Sequence, residues 1–406
     1  MSLRTGYTTG SCATAAAKAA TIGLFKGKIP DEVEIDTPAG ITLRLKIIDK
    51  QVTDNSADCA VQKDAGDDPD VTNGCKVHAR VERTFNDTIE IDGGEGVGRV
   101  TKPGLQVPVG YAAINPVPRS MIENAVREVI GHSKGAKVVI SVPNGRVLGE
   151  KTFNPKLGIM GGISIIGTTG IVRPMSEDAF KTSLLCGLDI AGGIGYETVV
   201  LVPGSLGERS MLNLVSIPKD QIIQISNFVG FMLNAARERH FKKIILAGHP
   251  GKLVKLLRGD FHTHSAFSKP ANDILIGIIE QQVQNRGQKS EARSRPPIEE
   301  LAENNDSLQG NTTIEGTPLS NILLNSLKEV STVEGIVEIL REYKYLSIMN
   351  DVASRIEAKV LQFCNGKHQL VPAEAGVILF DMKGSMVGIS DGAQTWLNLT
   401  KTKSSS

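Results

Sequence analysis

Residues 197–202 read ETVVLV and residues 243–247 read KIILA, each followed at once by proline or glycine (Pro203-Gly204 and Gly248). Short continuous runs of β-branched and aliphatic residues are the pattern of strands buried on both faces, as in a parallel sheet. Between them Ile222–Arg239 carries helical spacing, and a glycine turn opens a further helical pattern after Ala247. Strand, helix, strand is a βαβ unit and predicts a Rossmann-like α/β layer. Further helices are predicted over Leu319–Leu327 and Val333–Leu340, and a last strand over Gly376–Phe380.

Toward the N-terminus the rhythm differs. Thr8 or Thr9 caps a helix running through Ala13, Ala16, Ala17, Ala20 and Leu24. Alternating strands follow at Val33–Thr37 and Ile41–Ile48, then at Val77–Arg83 and Thr88–Ile91 around a turn at Phe85–Asp87. Arg119–Ile130 is amphipathic at helical spacing and leads into a strand at Lys137–Val142. The chain therefore reads as two domains, the number its 406 residues favour. Residues 1–145 form an α+β domain, and residues 146–283 with 319–400 form the α/β domain. Residues 284–318 are a polar insertion without periodicity, and 401–406 a fraying tail.

Composition excludes several functions. Lys and Arg number 45 against 44 Asp and Glu, so no basic surface for nucleic acid or anionic membrane is implied. Aromatic residues are 4% of the chain, with Trp396 the single tryptophan, which leaves few stacking platforms for a nucleic-acid strand. No apolar run reaches the length of a membrane span and the first residues lack a signal-peptide core, so a cytoplasmic protein is expected. The five cysteines are scattered, with no C-x-x-C pair, and are read as reduced thiols.

The densest chemistry lies between Lys63 and Arg119: KDAGDDPDVTNG (63–74), DGGEGVGRVTKPG (92–104) and AINPVPR (113–119). Asp64, Asp67, Asp68 and Asp70 lack the D-x-D-x-D-G spacing and distal Glu of a calcium loop. Residues 92–99 are not followed by a helix, so a dinucleotide loop fails on context. A loop offering backbone donors, the Glu95 carboxylate and the cations Arg99, Lys102 and Arg119 suits an anionic ligand, or simply a set of turns. GIMGGISIIGTTG (158–170) offers Gly161, Gly162, Thr168 and Thr169 either to a cofactor's polar end or to a tight packing corner. Gly248-His249-Pro250-Gly251-Lys252 has a P-loop's place but not its letters, which rejects ATP hydrolysis. His249, His262 and His264 are spaced for a metal but lack an evident acidic partner.

Taken in order, RTGYTTGSCATAAAKAA (4–20), KDAGDDPDVTNG, GGEGVGRVTKPGL, AINPVPR, KTFNPKLGIMGGISIIGTTGIVRPMS (151–176), GHPGKL and HTHS closely resemble the cobalt-precorrin-5B C1-methyltransferases of anaerobic cobalamin biosynthesis, the CbiD family. The likeness spans most of the chain and departs in Gln284–Thr317. It implies methyl transfer from S-adenosylmethionine to ring carbon C1 of a cobalt-containing tetrapyrrole. It also implies a fold unlike the common tetrapyrrole methyltransferases, and no protein-bound metal, since cobalt belongs to the substrate. With that chemistry, Arg99, Lys102 and Arg119 become partners for the substrate's carboxylates. Asp64, Asp68, Glu95 and His249 are candidate bases, and Gly161, Gly162, Thr168, Thr169, Gly248 and Gly251 candidate contacts to the methyl donor. The expected partner is the tetrapyrrole, with no nucleic acid or membrane and room for a homo-oligomer. A metal-dependent hydrolase built on His249, His262 and His264, or a non-catalytic corrinoid carrier, are the competing readings.

Overall fold

The computed structural model describes residues 3–293, 313–314, 317–365 and 374–403. Two compact units divide it, Met1–Ile194 and Gly195–Ser406.

In the first unit, α1 (Thr9–Lys26) begins at the predicted cap, where the Thr8 hydroxyl accepts from the Ser11 N–H. Its small residues, Ala13, Ala15, Ala16, Ala17, Ala19 and Ala20, have no exposed surface at all. A helix that is apolar on nearly every side must be buried, and alanine lets neighbouring backbones come close. The hairpin β1 (Glu32–Asp36) and β2 (Thr42–Lys46) precedes a sheet of β3 (Ile48–Val52), β4 (Ser56–Gln62), β5 (Lys76–Thr84), β6 (Ile89–Gly93) and, after α2 (Pro116–Ile130), β7 (Gly135–Ser141). The order is β3-β4-β5-β7-β6, antiparallel except for the parallel β6–β7 pair. α1, α2 and the inward face of this sheet share one core, with Ile122, Val126, Val77, Val81, Val138 and Ile140 fully buried.

Three expectations are corrected here. Ile41–Ile48 is two strands, β2 and β3, because the chain turns at the buried Ile47. The Phe85–Asp87 turn does not join a paired hairpin, since β7 enters between β5 and β6. The first unit also extends to Ile194 rather than ending at 145. Residues Ile159–Met160 pair with Arg99–Val100, Ile171–Val172 pair with Gly6–Tyr7, and Ile163 and Ile165 are buried in the first core. α3 (Gly145–Glu150) and α4 (Glu177–Ile194) complete it.

The second unit carries the predicted α/β layer. β8 (Thr198–Val202), β9 (Ile222–Gln224), β10 (Lys243–Gly248), β11 (Glu374–Phe380) and β12 (Met386–Ile389) lie in the order β9-β8-β10-β11-β12, the first four parallel and β12 antiparallel. α5 (Ser205–Leu214) links β8 to β9, and α6 (Val229–Glu238) links β9 to β10. The predicted helix over Ile222–Arg239 thus starts as a strand. Ile222 and Ile223 are buried in the sheet, and Ser226, at φ 52°, turns the chain before α6. α7 (Pro250–Leu253), α8 (Asn272–Arg293), α9 (Leu319–Lys328), α10 (Val333–Glu342), α11 (Ile348–Asn365) and α12 (Asp391–Lys403) complete the unit. α8 runs into the segment read as insertion; most of the rest of 284–318, and the end of the tail, lie outside the described residues. Among the described residues no helix is long and apolar enough to cross a membrane.

β8 is flanked in the sheet by β9 on one side and β10 on the other, so the strand order reverses between β8 and β10. Loops leaving such a reversal splay apart and open a crevice at the carboxyl edge.

Candidate functional site

The acids of residues 63–74 are bound to their own fold. Arg4 reaches Asp64 with both terminal guanidinium nitrogens, at 2.5 and 2.9 Å, and its backbone N–H donates to Asp67. The Arg4 guanidinium, helped by the Gly66 N–H, holds the Asp64 carboxyl below the usual carboxylate range. A lowered value makes Asp64 a weak base, and its geometry makes it a clamp on the N-terminal segment. Asp70 pairs with the buried Lys63 at 2.7 Å and caps the N–H and hydroxyl of Thr72. Asp68 accepts the Met175 N–H at 3.1 Å, where Met175 is held at φ 54°.

The glycines of the next loop are packing positions. Gly96, at φ 70°, lies where a Cβ would sit 1.9 Å from the Val142 carbonyl oxygen, and Gly145 and Gly162 close on the same backbone. Gly162 is a buried corner, whereas Gly161 faces open space. Thr9 locks the loop to α1: its hydroxyl accepts from the Ile166 N–H at 2.9 Å, and the Gly10 N–H donates to the Ile166 carbonyl. Thr168 and Thr169 are exposed, and the Thr169 hydroxyl donates to the Ile171 carbonyl.

The expected cations divide. Arg119 is turned inward, donating to the Ile91 carbonyl at 2.9 Å. The stem of Lys102 packs on Gly158, and its ammonium lies 3.4 Å from the Lys156 carbonyl. Arg99 is half exposed and forms a 3.0 Å ion pair with Asp92 on the outer surface of the loop. Burial raises the Asp92 carboxyl, but the bond from Arg99 and the Gly93 N–H outweigh it and leave it lowered. Beside Arg99, its register partner Met160 and neighbouring Tyr111 are exposed apolar groups. Glu95 is exposed, and its backbone carbonyl accepts from the Val142 N–H.

At the carboxyl edge of the second unit's sheet, Gly204 opens α5 with free space beyond its Cα. Lys252 donates to the Pro203 carbonyl at 3.1 Å and ties the loop after β8 to α7; burial, with Lys255 nearby, lowers its pKa. His249 has both ring nitrogens engaged, Nδ1 by the Gly251 N–H at 3.0 Å and Nε2 by Glu334 at 2.9 Å, so it has no open lone pair for proton abstraction. Gly248 is buried against Pro203, and Gly251 packs on the His249 ring. Asp381, after β11, is fully buried and lowered: burial acts against it, but the Ser385 and Lys383 N–H groups and Arg341 prevail. His262 packs edge-on with Phe228 and Phe267, and His264 lies tilted against Phe267. Among the described residues no three His, Cys, Asp or Glu side chains converge in metal-binding geometry.

Sequence reading missed Arg4, Met175, Glu334 and Asp381. Arg4 stands in the quoted RTGY motif, but nothing local links it to an aspartate 60 positions away. Glu334 carried one usable signal, its place two residues after the capping Thr332.

The CbiD family model matches residues 1–174, and the model of the CbiD C-terminal domain matches residues 317–391. The chain is 41% identical to the cobalt-precorrin-5B C(1)-methyltransferase of Alkaliphilus metalliredigens over 401 residues, covering 99% of this chain and 96% of that one. It is 40% identical to the enzyme of the same name from Klebsiella pneumoniae over 388 residues, 96% and 93% of the two chains. A crystal structure of a cobalamin biosynthesis protein (cbiD) from Archaeoglobus fulgidus is 31% identical and covers 64% of this chain and 81% of its own, with a TM-score of 0.34. With both ends of the chain matched to its models and its relatives matched along nearly their whole length, the chain belongs to the CbiD family.

Proposed function

We propose that this protein methylates ring carbon C1 of cobalt-precorrin-5B, with S-adenosylmethionine as the methyl donor. The observation that carries the reading is the 41% identity, over 99% of the chain, to a methyltransferase of that name. The donor, when bound, supplies a methyl group on a sulfonium. C1 would bond to that methyl carbon as its bond to sulfur breaks, with S-adenosylhomocysteine as the leaving group, and the protein's work is to align the two and accept any proton released.

We assign the donor to the crevice between β8 and β10. Three features support this: the reversal of strand order, the open Gly204, and the Lys252 tie that holds the two loops. Gly248 and Gly251 set the shape of that loop by close packing. In the first unit, Gly161, Thr168 and Thr169 are exposed and Gly162 is a packing position. For the substrate, Arg99 with exposed Tyr111 and Met160 offers a cation beside an apolar face, which suits a flat ring fringed with carboxylates. Lys102 adds positive charge at the same loop, and Arg119 supports it from within. Among the candidate bases, Glu95 is the exposed residue, with no side-chain hydrogen bond or ion pair among the described residues; Asp64, Asp68 and His249 hold hydrogen bonds to other parts of the fold.

Calorimetric titration with S-adenosylhomocysteine tests the reading. Stoichiometric binding is expected, and methyl transfer to cobalt-precorrin-5B should follow by mass spectrometry. A protein that binds the tetrapyrrole but no S-adenosylhomocysteine would be a carrier.

A further inference from the structure

His249 sits at the mouth of the β8–β10 crevice, yet its hydrogen bonds commit it to a task other than proton transfer. The Gly251 N–H is a donor, so the Nδ1 it touches at 3.0 Å is an acceptor, and the ring proton resides on Nε2. That Nε2–H donates to Glu334 at 2.9 Å. The Glu334 carboxylate also accepts the Met382 N–H at 3.1 and 3.2 Å. Its place in the first turn of α10 sets it at the positive end of the helix dipole. Both side chains are about four-fifths shielded from solvent, His249 at 19% and Glu334 at 22% exposure.

One carboxylate thus joins three segments at the carboxyl edge: the loop after β10 through His249, the start of α10, and the turn after β11 through Met382. Lys252 extends the lacing to the loop after β8, by its bond to the Pro203 carbonyl. Gly251 lies too close to the imidazole for a Cβ, which would stand 2.9 Å from Nδ1. The ring therefore determines where the Gly248–Gly251 turn stands relative to the opposite wall of the crevice.

We propose that His249 and Glu334 form a positioning pair for the methyl donor. Glu334 selects the imidazole tautomer that holds the 248–251 turn, and the turn sets the width of the donor crevice. The inference rests on assigning the donor to this edge. His249 does not touch the reacting atoms; it acts through the backbone of the turn.

The test compares wild type with His249→Ala, His249→Asn, Glu334→Ala and Glu334→Gln. The measurements are S-adenosylhomocysteine affinity by calorimetry, KM for S-adenosylmethionine and kcat, with urea midpoints as a check on folding. His249→Ala and Glu334→Ala should weaken S-adenosylhomocysteine binding about tenfold and raise KM by a similar factor, with kcat within about twofold. His249→Asn keeps an oxygen that caps the Gly251 N–H, and Glu334→Gln keeps an acceptor for the imidazole; both should recover to within about threefold of wild type. A loss of about 100-fold in kcat for His249→Asn with unchanged KM would make His249 a catalytic base and overturn the proposal. Unchanged affinity in both alanine variants would overturn the positioning role while leaving the donor site intact. A wild-type protein that binds no S-adenosylhomocysteine would overturn the donor assignment and this inference with it.

Discussion

In the first unit, the loops 63–74 and 92–105 hold the chain's densest run of acids and glycines, and the fold spends most of them on itself. Asp64, Asp67, Asp68 and Asp70 answer to Arg4, Met175 and Lys63, and Gly96 and Gly162 are contact points between backbones. In the second unit, the carboxyl edge of the parallel sheet is built from plainer letters, yet it leaves an open glycine at a reversal of strand order. A polar loop is thus evidence of a site only after its internal partners have been subtracted. What remains in the first unit is small and specific: Glu95 and the exposed Tyr111 and Met160, beside an Arg99 that is half exposed although paired with Asp92.

That contrast can be broken most sharply at Gly96. Alanine there meets the Val142 carbonyl in a left-handed backbone, so Gly96→Ala should cost about 4 kcal/mol or more, or leave no folded protein. A urea midpoint near wild type would return this glycine to a ligand role. Lys63→Ala comes next. The Lys63 side chain is 2% exposed, and its removal leaves the partly buried Asp70 carboxylate without its cation, for a loss of about 3 kcal/mol in the same measurement.

On the functional side of the comparison, Glu95→Gln should reduce turnover about 100-fold with the urea midpoint unchanged, as loss of a general base does. A variant with full turnover would remove Glu95 from the mechanism. Arg99→Ala should weaken tetrapyrrole binding about tenfold and leave S-adenosylhomocysteine affinity alone. Equal loss of both would contradict separate grips on substrate and donor.

The smallest expected effect is on the acid limb of stability. Asp64, Asp70, Asp92 and Asp381 are all held below the ordinary carboxylate value. A depressed folded-state value contributes stability that is complete above the unfolded value of about 4 and is lost as pH falls through the folded value. Unfolding midpoints should therefore decline below about pH 4, and Lys63→Ala should decline less over that range because Asp70 has already lost its partner.

Much of the fold was legible in particular residues. Thr8 capped α1, the alanines of residues 13–20 marked a fully buried helix, and the apolar runs at 197–202 and 243–247 became adjacent parallel strands. Local spacing carries these, because caps and burial periodicity act within a few residues. The Ile222–Arg239 segment was misread for the same reason. Ile222 and Ile223 suit helix and strand alike, and pairing with Val200 and Leu201 decided for the strand. Of the candidate site, sequence located the loops and the cation at Arg99, but could not show that Asp64 and His249, read as candidate bases, and Arg119 and Gly162, read as ligand contacts, already have protein groups against them.

By itself, the sequence determined the classes of both units, the family likeness, and the loops in which chemistry is concentrated. These rest on residue type and short-range order. Only the tertiary structure decided which polar groups are already satisfied. A carboxylate's role depends on what lies within about 3 Å of it. Arg4 is 60 positions from Asp64, and Glu334 is 85 from His249.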